Sequence, residues 1–409
     1  MNERGAGMKK NEKRAECKRI SGVLPAMARL AAVLVVAALF AGCVGEQVGQ
    51  TGQTGDFLGN QAERPTVMRI DFENHFKSES FFAVLSERGV PPYYRAETGS
   101  ITWAEGQTDP IDKLKPALMN MGEDRLRSMD EAGIDVAVIS ASVGVELLDP
   151  AESIEVARQS NDAIHELTQK YPGRFLGVAI LPVKDVEAAV AELERCVTEL
   201  GFVGWQVHSN FGGFAELDDE MFRPIFRKAA ELGVYVYLHP GTPLDARLQG
   251  YGYPLYGAAF GYTVDTAVTT LRLIYSGLFD EFPELTMILG HLGEAFPFLM
   301  ERIDNRAYIF GTELLKNKEI PSYYFRNNIL VTTSGNASEA ALNCTIEVFG
   351  IDRILFASDH PFENAVEAVA FLDNLPLSDE ARASIFYQNA VEKLNIPLFG
   401  RTQPPIPAQ

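Results

Sequence analysis

Residues 185–208 read DVEAAVAELERCVTELGFVGWQVH, and this stretch contains one helix followed by one strand. Asp185 is a good N-cap residue, and the apolar side chains after it recur at helical spacing, which predicts a helix that ends near Leu200. Gly201 favours a left-handed helix stop, and the apolar run Gly204–His208 predicts a strand directly after it. The pattern therefore indicates one helix-and-strand unit of a sheet that is covered by helices.

The same unit repeats from Met68 onward, with short apolar strands between amphipathic helical stretches. Strands such as Val136–Ile139 and Ile354–Ala357 are apolar on both faces, as a parallel sheet covered by helices requires. The eight predicted strands are Arg69–Glu73, Asp135–Ser140, Leu176–Leu181, Gly204–His208, Val234–Leu238, Thr286–Gly290, Ile329–Thr333 and Arg353–Ser358. Eight parallel strands in about 340 residues predict an α/β fold, a (β/α)8 TIM barrel. A doubly wound open sheet is the alternative, but the sequence contains no glycine-rich phosphate loop.

Two segments that follow predicted strands are longer than ordinary loops, which predicts insertions after strands one and five of the barrel. Phe76–Leu118 carries Trp103, and Gly241–Gly261 carries Tyr253 among other aromatic residues. Both follow the C-terminal ends of strands, where barrel enzymes build their sites. The aromatic side chains either form lids or walls around a planar ligand, or they form a contact surface between subunits.

The composition is that of a folded protein: of 409 residues, 46% are apolar, 10% are aromatic and 22% are charged. This content excludes a wholly disordered chain, and 4 cysteines are too few for a disulfide scaffold. The formal net charge of −19 would repel phosphate backbones and anionic membrane surfaces. We therefore expect no nucleic-acid partner.

The N-terminus has the pattern of a targeting segment. A basic region at 8–29 precedes the apolar run Leu30–Ala41, which is too short to span a bilayer comfortably. The run is followed by Gly42 and Cys43, and it resembles a prokaryotic lipoprotein signal in which Cys43 is lipidated and becomes the new N-terminus.

Three parts of the chain follow from this pattern. We expect a signal peptide at 1–42, a flexible tether at 43–66 and a metal-dependent barrel domain at 67–409. The mature protein would be extracytoplasmic, and the lipidated Cys43 would be its attachment to the cell membrane. The alternatives are an uncleaved membrane anchor and a shorter cytoplasmic protein that is translated from Met68.

Side chains that can bind a metal follow four of the predicted strands. They are Glu73 and His75 after strand one, His239 after strand five, His291 and Glu294 after strand six, and Asp359 after strand eight. In a barrel these strand ends converge around one mouth, and Glu73 and His75, two residues apart, point the same way. Carboxylate oxygens and imidazole nitrogens bind divalent first-row metals. The sequence therefore predicts a metal site at the mouth of the barrel.

These strand ends resemble the amidohydrolase superfamily, in particular the branch that includes aminocarboxymuconate semialdehyde decarboxylase and gamma-resorcylate decarboxylase. The resemblance covers about Arg69–Leu394. Its motifs are Glu73–Phe76 (ENHF), Tyr237–Pro240 (YLHP), Ile288–Glu294 (ILGHLGE), Arg302–Asp304 (RID), Thr332–Asn336 (TTSGN) and Arg353–Asp359 (RILFASD). Strand one carries Glu-x-His, as that decarboxylase branch does, where the wider superfamily has His-x-His.

The resemblance implies a role for each of these residues. The implied metal ligands are Glu73, His75, His239 and Asp359. Asp359 is also the implied catalytic acid, which protonates the carbon that bears the substrate carboxylate.

Further residues are implied around this centre. His291 would either support a metal ligand from behind or polarise the substrate, with its ring oriented by Glu294. Arg302 would pair with a substrate carboxylate, or form a surface salt bridge instead. His208 ends strand four where the gamma-resorcylate type tends to carry Asn, and it would either contact the substrate, supply a further metal ligand or form part of the site wall. Asn336 would line the pocket.

The implied function is a metal-dependent, non-oxidative decarboxylase, a carbon–carbon lyase, of a hydroxybenzoate-like or unsaturated carboxylic acid. One alternative is a metal-dependent hydrolase or hydratase of the same superfamily that acts on a lactone or an unsaturated dicarboxylate. Another is a tethered, non-catalytic binding protein. Metal binding would distinguish an enzyme from the binding protein, and release of carbon dioxide would distinguish the decarboxylase from the hydrolase or hydratase.

The expected cofactor is one divalent metal ion, zinc or manganese. Strand four reads GWQVH and has no Lys that could become a carbamylated bridge between two metals. The expected partners are a small carboxylic acid substrate and further copies of the chain in a dimer or tetramer, as is common among relatives.

Overall fold

The structure is a computed structural model that describes residues 67–141 and 144–397. The predicted signal peptide at 1–42, the lipidation site Cys43 and the tether at 43–66 lie outside the described residues. Within the described ranges, no helix combines the length and the apolar composition needed to cross a membrane.

The described residues contain eleven strands. They are β1 (Ile70–Phe76), β2 (Tyr93–Arg95), β3 (Ser100–Ala104), β4 (Gln107–Pro110), β5 (Val136–Ala141), β6 (Phe175–Ala179), β7 (Gly204–His208), β8 (Tyr235–His239), β9 (Met287–Leu289), β10 (Ile329–Thr332) and β11 (Ile354–Leu355). Eight of them form one sheet in the order β1-β5-β6-β7-β8-β9-β10-β11, and all neighbouring pairs are parallel. These eight strands correspond to the eight that the sequence predicts.

The sheet closes between its first and last strands. The Phe72 amide donates a hydrogen bond to the Phe356 carbonyl at 3.0 Å, and the His75 amide donates to the His360 carbonyl at 2.8 Å. The predicted (β/α)8 TIM barrel is therefore confirmed. All the strands run in the same direction, so their C-terminal ends meet at one mouth.

Helices connect and cover the strands. They are α1 (Glu79–Glu87), α2 (Lys115–Met119), α3 (Glu123–Ala132), α4 (Pro150–Lys170), α5 (Val186–Thr198), α6 (Arg223–Leu232), α7 (Tyr253–Tyr256), α8 (Gly261–Tyr275), α9 (Leu278–Glu281), α10 (His291–Glu294), α11 (Phe296–Arg306), α12 (Pro321–Asn327), α13 (Glu339–Phe349), α14 (Ala365–Asn374), α15 (Asp379–Ala383) and α16 (Asn389–Leu394). The helix predicted after Asp185 is α5, and the Asp185 side chain accepts a hydrogen bond from the Ala188 amide. Gly233 ends α6 with φ +67°, the left-handed conformation that the glycine stops predict.

The alternating side chains of the strands divide the apolar interior into two parts. One cluster inside the barrel contains Ile70, Val136, Tyr235 and Ile288. A larger cluster between the strands and the helices contains Ile139, Val207, Leu238 and Leu289. Because both faces of the strands are buried, the strand ends that carry the polar residues are held in fixed positions.

The segment at 76–118, called the first insertion below, contains structure that the sequence analysis treats as a loop. It folds into α1, the antiparallel sheet β2-β3-β4 and α2. In β3, Ile101 and Trp103 are buried and alternate with half-buried residues, and Gly106 turns the chain with φ +78° between β3 and β4. The period of two is present in the sequence, but it extends over only five residues.

Candidate metal centre and substrate cavity

Three side chains from two strand ends form a metal-competent cluster. Glu73 and His75 come from β1 and His239 comes from β8, and their ligand atoms all lie within 4.8 Å of one another. Glu73 Oε1 is 3.5 Å from His75 Nε2 and 3.5 Å from His239 Nε2. We call these three residues the metal cluster. Their convergence agrees with the prediction that strands one and five supply ligands.

Hydrogen bonds fix the orientation of the ligand atoms. Glu73 Oε2 accepts a hydrogen bond of 2.5 Å from the Tyr237 hydroxyl, whereas the buried Oε1 has no hydrogen-bond partner among the described residues. His239 Nδ1 donates to the Pro240 carbonyl at 2.9 Å, which leaves Nε2 with its lone pair directed toward Glu73. This orientation of a ring by its second nitrogen is typical of histidines that bind metals.

Asp359 comes to the same place from the end of β11. Its Oδ1 lies 2.9 Å from His75 Nε2. The Ser358 amide donates to Asp71 Oδ1 of β1 at 2.8 Å, and this bond holds the turn that carries Asp359. Asp359 has φ +61°, a conformation that non-glycine residues adopt rarely and that is often found at functional sites.

His291 and Glu294 form a pair beside this cluster. Residues 291–295 all have positive φ values, between +52° and +79°, so α10 is a left-handed turn and not a regular helix. This turn brings His291 Nδ1 within 2.7 Å of Glu294 Oε1, where the ring donates to the buried carboxylate. Only 3.0 Å separates His291 Cδ2 from the place where a Cβ on Gly335 would lie, so the ring packs closely on that glycine.

The buried charges of the centre shift one another's titration. Burial, with the negative charge of Glu73, raises the pKa of Asp359 above its ordinary value. Burial opposes ionisation of Glu73, but the adjacent imidazoles of His75, His291 and His239 lower the pKa of Glu73 below its ordinary value. Burial disfavours the charged form of His291, but the Glu294 carboxylate raises the pKa of His291 to about 10. The pKa values of the two carboxyl groups, Asp359 and Glu73, are therefore shifted in opposite directions, and His291 is more basic than an ordinary imidazole.

The structure places His208 beside the metal cluster and away from the solvent. Its ring centroid is 5.1 Å from that of His239, because the two residues pair across β7 and β8. His208 Nδ1 donates to Glu146 Oε1 at 2.5 Å, and its Nε2 has no hydrogen-bond partner among the described residues. Of the roles predicted for His208, its burial favours that of a hydrogen-bonded side chain in the wall of the site. Sequence reasoning missed Glu146, which lies in a segment after β5 without a recognisable motif.

The predicted substrate-binding residues Arg302 and Asn336 do not line the cavity beside this centre. Arg302 is exposed on α11 and Asn336 is half-buried after β10. Neither belongs to the described residues that line the cavity next to the metal cluster. For Arg302, helical periodicity does not predict which part of the protein α11 faces. The substrate-binding roles of Arg302 and Asn336 stay predictions.

A cavity of about 430 Å³ opens onto the centre, and its size lies within the range of small-molecule sites, about 300–1,000 Å³. His239, His291 and Asp359 form the part of its wall that comes from the barrel. The first insertion adds further wall residues, among them Lys77, Trp103 and Asp109.

The segment at 241–261, called the second insertion below, also lines the cavity, through Tyr253 among others. Hydrogen bonds tie it to the first insertion, two of them short. Tyr256 donates to Asp109 Oδ1 at 2.7 Å, and Gln107 Nε2 donates to the Pro243 carbonyl at 2.6 Å. The sequence predicts that the aromatic side chains of the insertions form either the wall of a ligand cavity or a contact surface between subunits. Trp103 and Tyr253 fit the first prediction, because both line the cavity.

Comparison with known proteins agrees with this geometry. The amidohydrolase family model matches residues 70–396. The gamma-resorcylate decarboxylase of Polaromonas sp. JS666 is 37% identical over 336 residues, which are 79% of this chain and 97% of that protein.

Two solved structures share both the fold and part of the sequence. The 2,6-dihydroxybenzoate decarboxylase from Rhizobium has a TM-score of 0.70 and 34% identity, covering 80% of this chain and 98% of that one. The dihydroxybenzoic acid decarboxylase from Polaromonas sp. JS666, with bound manganese and 2-nitroresorcinol, has a TM-score of 0.69 and 35% identity, covering 80% and 97%. These similarities, together with the metal-competent residues at the strand ends, show that the chain belongs to the amidohydrolase family.

Proposed function

We propose that this protein is a metal-dependent, non-oxidative decarboxylase that releases the carboxylate of a hydroxybenzoate-like acid as carbon dioxide. The observation that carries the proposal is that Asp359 and His291 line one cavity with His239 of the metal cluster. Dihydroxybenzoate decarboxylases that cover most of this chain support the same reaction and substrate class. The hydroxyl group next to the carboxylate is part of the proposed substrate.

The residues present fit one divalent metal ion. Glu73 Oε1 is buried and receives no hydrogen bond from any described residue. It faces the Nε2 atoms of two histidines, which is a donor set that suits zinc or manganese. Glu73, His75, His239 and Asp359 would hold the ion, and manganese in the Polaromonas relative favours that metal. When bound, such an ion supplies a Lewis acid that polarises and orients oxygen atoms of the substrate.

The remaining groups can carry out the proton transfer. Asp359 Oδ1 lies 2.9 Å from His75 Nε2, on the side of the metal cluster, so Oδ2 is the oxygen from which we propose that a proton passes to the ring carbon bearing the carboxylate. The carbon–carbon bond then breaks, carbon dioxide leaves and the ring regains its aromaticity. His291, held by Glu294, would donate a hydrogen bond to an oxygen of the substrate through Nε2. The apolar wall of the cavity would exclude water from the reacting carbon.

The test is carbon dioxide release from the manganese-loaded protein on a panel of ortho-hydroxylated aromatic acids. We expect release by the unaltered protein and none by the Asp359→Asn variant. The matched control is Asp352→Asn, because Asp352 is an exposed carboxylate that pairs with Lys393 at the surface. Activity that persists in Asp359→Asn would contradict the role of Asp359.

A folded, metal-loaded protein that releases no carbon dioxide from any member of the panel would contradict the decarboxylase proposal. Lactones and unsaturated dicarboxylates would then be the next substrates, since a hydrolase or hydratase would use the same ligands. A protein that binds no metal and turns over none of these compounds would instead support a binding role.

We also propose, from the sequence alone, that the protein is exported and anchored by a lipid on Cys43. The basic region and the apolar run before Cys43 support this proposal. Metabolic labelling with a palmitate analogue, followed by mass spectrometry of the N-terminus, tests it, and the Cys43→Ser variant should lose the label. An unlabelled protein that begins at Met68 would contradict export.

A further inference from the structure

The cavity offers more space than a single hydroxybenzoate ring needs. Its volume is about 430 Å³, whereas a cavity of about 150 Å³ is large enough to hold benzene. A carboxylate and a hydroxyl group enlarge the ring only slightly. With the substrate carboxylate at the metal cluster, the ring position opposite that carboxylate would point away from His239, toward the walls that the two insertions supply.

The walls that the insertions supply are mainly apolar. In the first insertion, Ile111 and Leu118 are buried and Leu114 is half-buried, and all three line the cavity. Trp103 and Tyr253 add aromatic rings to the same cavity. Water next to such side chains has few hydrogen-bond partners, so an apolar group that displaces it gains free energy of binding.

Outside the metal centre, the charged side chains that line the cavity among the described residues are Lys77, Asp109 and Glu363. Both oxygens of Asp109 accept hydrogen bonds from protein donors, Oδ2 from Trp103 Nε1 at 2.8 Å. Lys77 has interaction partners within the protein, and its Nζ lies 4.6 Å from the ring centroid of Phe81 and 5.0 Å from that of Trp103. Glu363 is exposed, and its carboxylate would repel a second negative charge on the substrate. A neutral, apolar substituent therefore suits these walls better than a charged one.

We propose that the substrate carries a hydrocarbon substituent of about the size of a second ring, at the ring position opposite the carboxylate that is removed. This inference rests on the proposed function and deepens it, because it names the class of hydroxybenzoate. The substituent would lie against Ile111, Leu114 and Leu118 of the first insertion. Ala258 of the second insertion would leave space for it, since an alanine side chain is only a methyl group.

Ala258 and Ala259 provide a matched pair of positions. Both are exposed in the second insertion, and of the two described residues Ala258 lines the cavity while Ala259 does not. In Ala258→Phe the new ring would occupy the space that we assign to the substituent. Ala259→Phe adds the same ring outside the cavity.

Two leucines provide a second pair, in which side chains are shortened. Leu114 and Leu255 are both half-buried, but of these described residues Leu114 lines the cavity and Leu255, on α7, does not. Leu114→Ala removes part of the apolar wall, and Leu255→Ala removes the same atoms elsewhere.

The experiment compares acids that differ only at the position opposite the carboxylate: 2-hydroxybenzoate, 2-hydroxy-4-methylbenzoate and 2-hydroxy-4-phenylbenzoate. Calorimetry on the manganese-loaded protein measures the affinity for each acid, and carbon dioxide release measures kcat and KM. Each variant is checked for metal content and unfolding temperature.

We expect the unaltered protein to bind the phenyl-substituted acid about 10–100-fold more tightly than 2-hydroxybenzoate, because the added ring removes a large apolar surface from water. The methyl-substituted acid should lie between the two. Ala258→Phe should lose the preference and Leu114→Ala should reduce it severalfold, whereas Ala259→Phe and Leu255→Ala should retain it. An equal or weaker affinity for the phenyl-substituted acid in the unaltered protein, or an unchanged preference in either Ala258→Phe or Leu114→Ala, would overturn the inference.

The two proposals can fail separately. Decarboxylation of 2-hydroxybenzoate without any preference for the phenyl-substituted acid would leave the reaction standing and remove the apolar subsite. A calorimetric preference that Ala258→Phe abolishes, in a protein that releases no carbon dioxide, would retain the apolar subsite and remove the decarboxylase function.

Discussion

Glu73 has two carboxylate oxygens in different environments. Oε2 accepts a hydrogen bond from Tyr237, while Oε1 faces His75 and His239 with no donor among the described residues. A buried acceptor without a donor is costly, and a cation removes that cost. Tyr237 therefore holds one oxygen of Glu73 and leaves the other available to a cation. For this reason Tyr237 matters to the metal cluster although it is not one of the proposed ligands.

The Tyr237→Phe variant removes this donor without changing the shape of the ring. We expect the affinity for manganese to fall by about 10–100-fold, as is typical when a partner of a metal ligand is removed. Competition with a chelator measures the change. Tyr235→Phe is the control, because Tyr235 lies two residues earlier on β8 and its hydroxyl has no hydrogen-bond partner among the described residues. An equal loss in both variants would contradict a specific role for Tyr237.

The pair of His291 and Glu294 makes a different prediction. In Glu294→Gln the charge that supports the His291 ring is removed, so kcat should fall by about 10–100-fold while the manganese content stays the same. Steady-state kinetics and metal analysis measure both quantities. The control is Glu301→Gln on the exposed side of α11, and loss of metal from Glu294→Gln would show that the pair acts on the ligands instead.

The sequence is informative about residues whose position follows from a strand. Glu73, His75, His239 and Asp359 stand at strand ends, and the convergence of strand ends in a barrel is a general rule. The role of Tyr237 follows from the same alternation, since Tyr237 and His239 are two residues apart on β8, and that signal was available. The partners of Glu146, Lys77 and Asp109 depend on how the first insertion and the segment after β5 pack on the barrel, which no periodicity encodes.

The two insertions show the same contrast between elements. The strands and helices of the barrel are long or repeated, so their apolar periodicity predicts them, whereas β2, β3 and β4 are at most five residues long. The small core of the first insertion, which includes Phe81, Trp103 and Ile111, brings together residues that are distant in the sequence. Short strands of this kind depend on tertiary contacts for their stability.

The contact between the insertions can be tested at Tyr256. Removing its hydroxyl in Tyr256→Phe should lower the free energy of unfolding by about 1–3 kcal/mol, because Asp109 loses a donor while it stays largely buried. Hydrogen exchange at residues 107–110 should become faster, and KM should rise. Tyr251→Phe in the same insertion is the control, since Tyr251 is 82% exposed. Unchanged exchange in Tyr256→Phe would show that other contacts hold the two segments together.

Several large apolar side chains of the molecule face the solvent. Phe298, Phe310 and Leu314 are 86%, 90% and 78% exposed, and they lie on α11 or shortly after it. Large exposed apolar side chains within one segment of the chain are candidates for an interface between proteins. They support the expectation from the sequence that the protein forms a dimer or tetramer, which we propose here.

Phe310→Glu tests this proposal for the whole molecule. We expect the mass in solution, measured by light scattering after gel filtration, to fall toward that of a single chain. Val90→Glu is the control, because Val90 is 61% exposed and lies in the first insertion. A single-chain mass for the unaltered protein would contradict the proposal, and an unchanged oligomer in Phe310→Glu would place the interface elsewhere.

The hydrogen bond between Tyr256 and Asp109 also limits how chimeras of this protein can be built. The barrel strands carry the metal cluster, and the two insertions carry the outer wall of the cavity, so new substrate ranges are best sought by exchanging the insertions alone. A crossover that replaces only one of them would leave Asp109 without its tyrosine donor, or Tyr256 without its acceptor. Recombination libraries should therefore exchange residues 76–118 and 241–261 together, from the same parent protein.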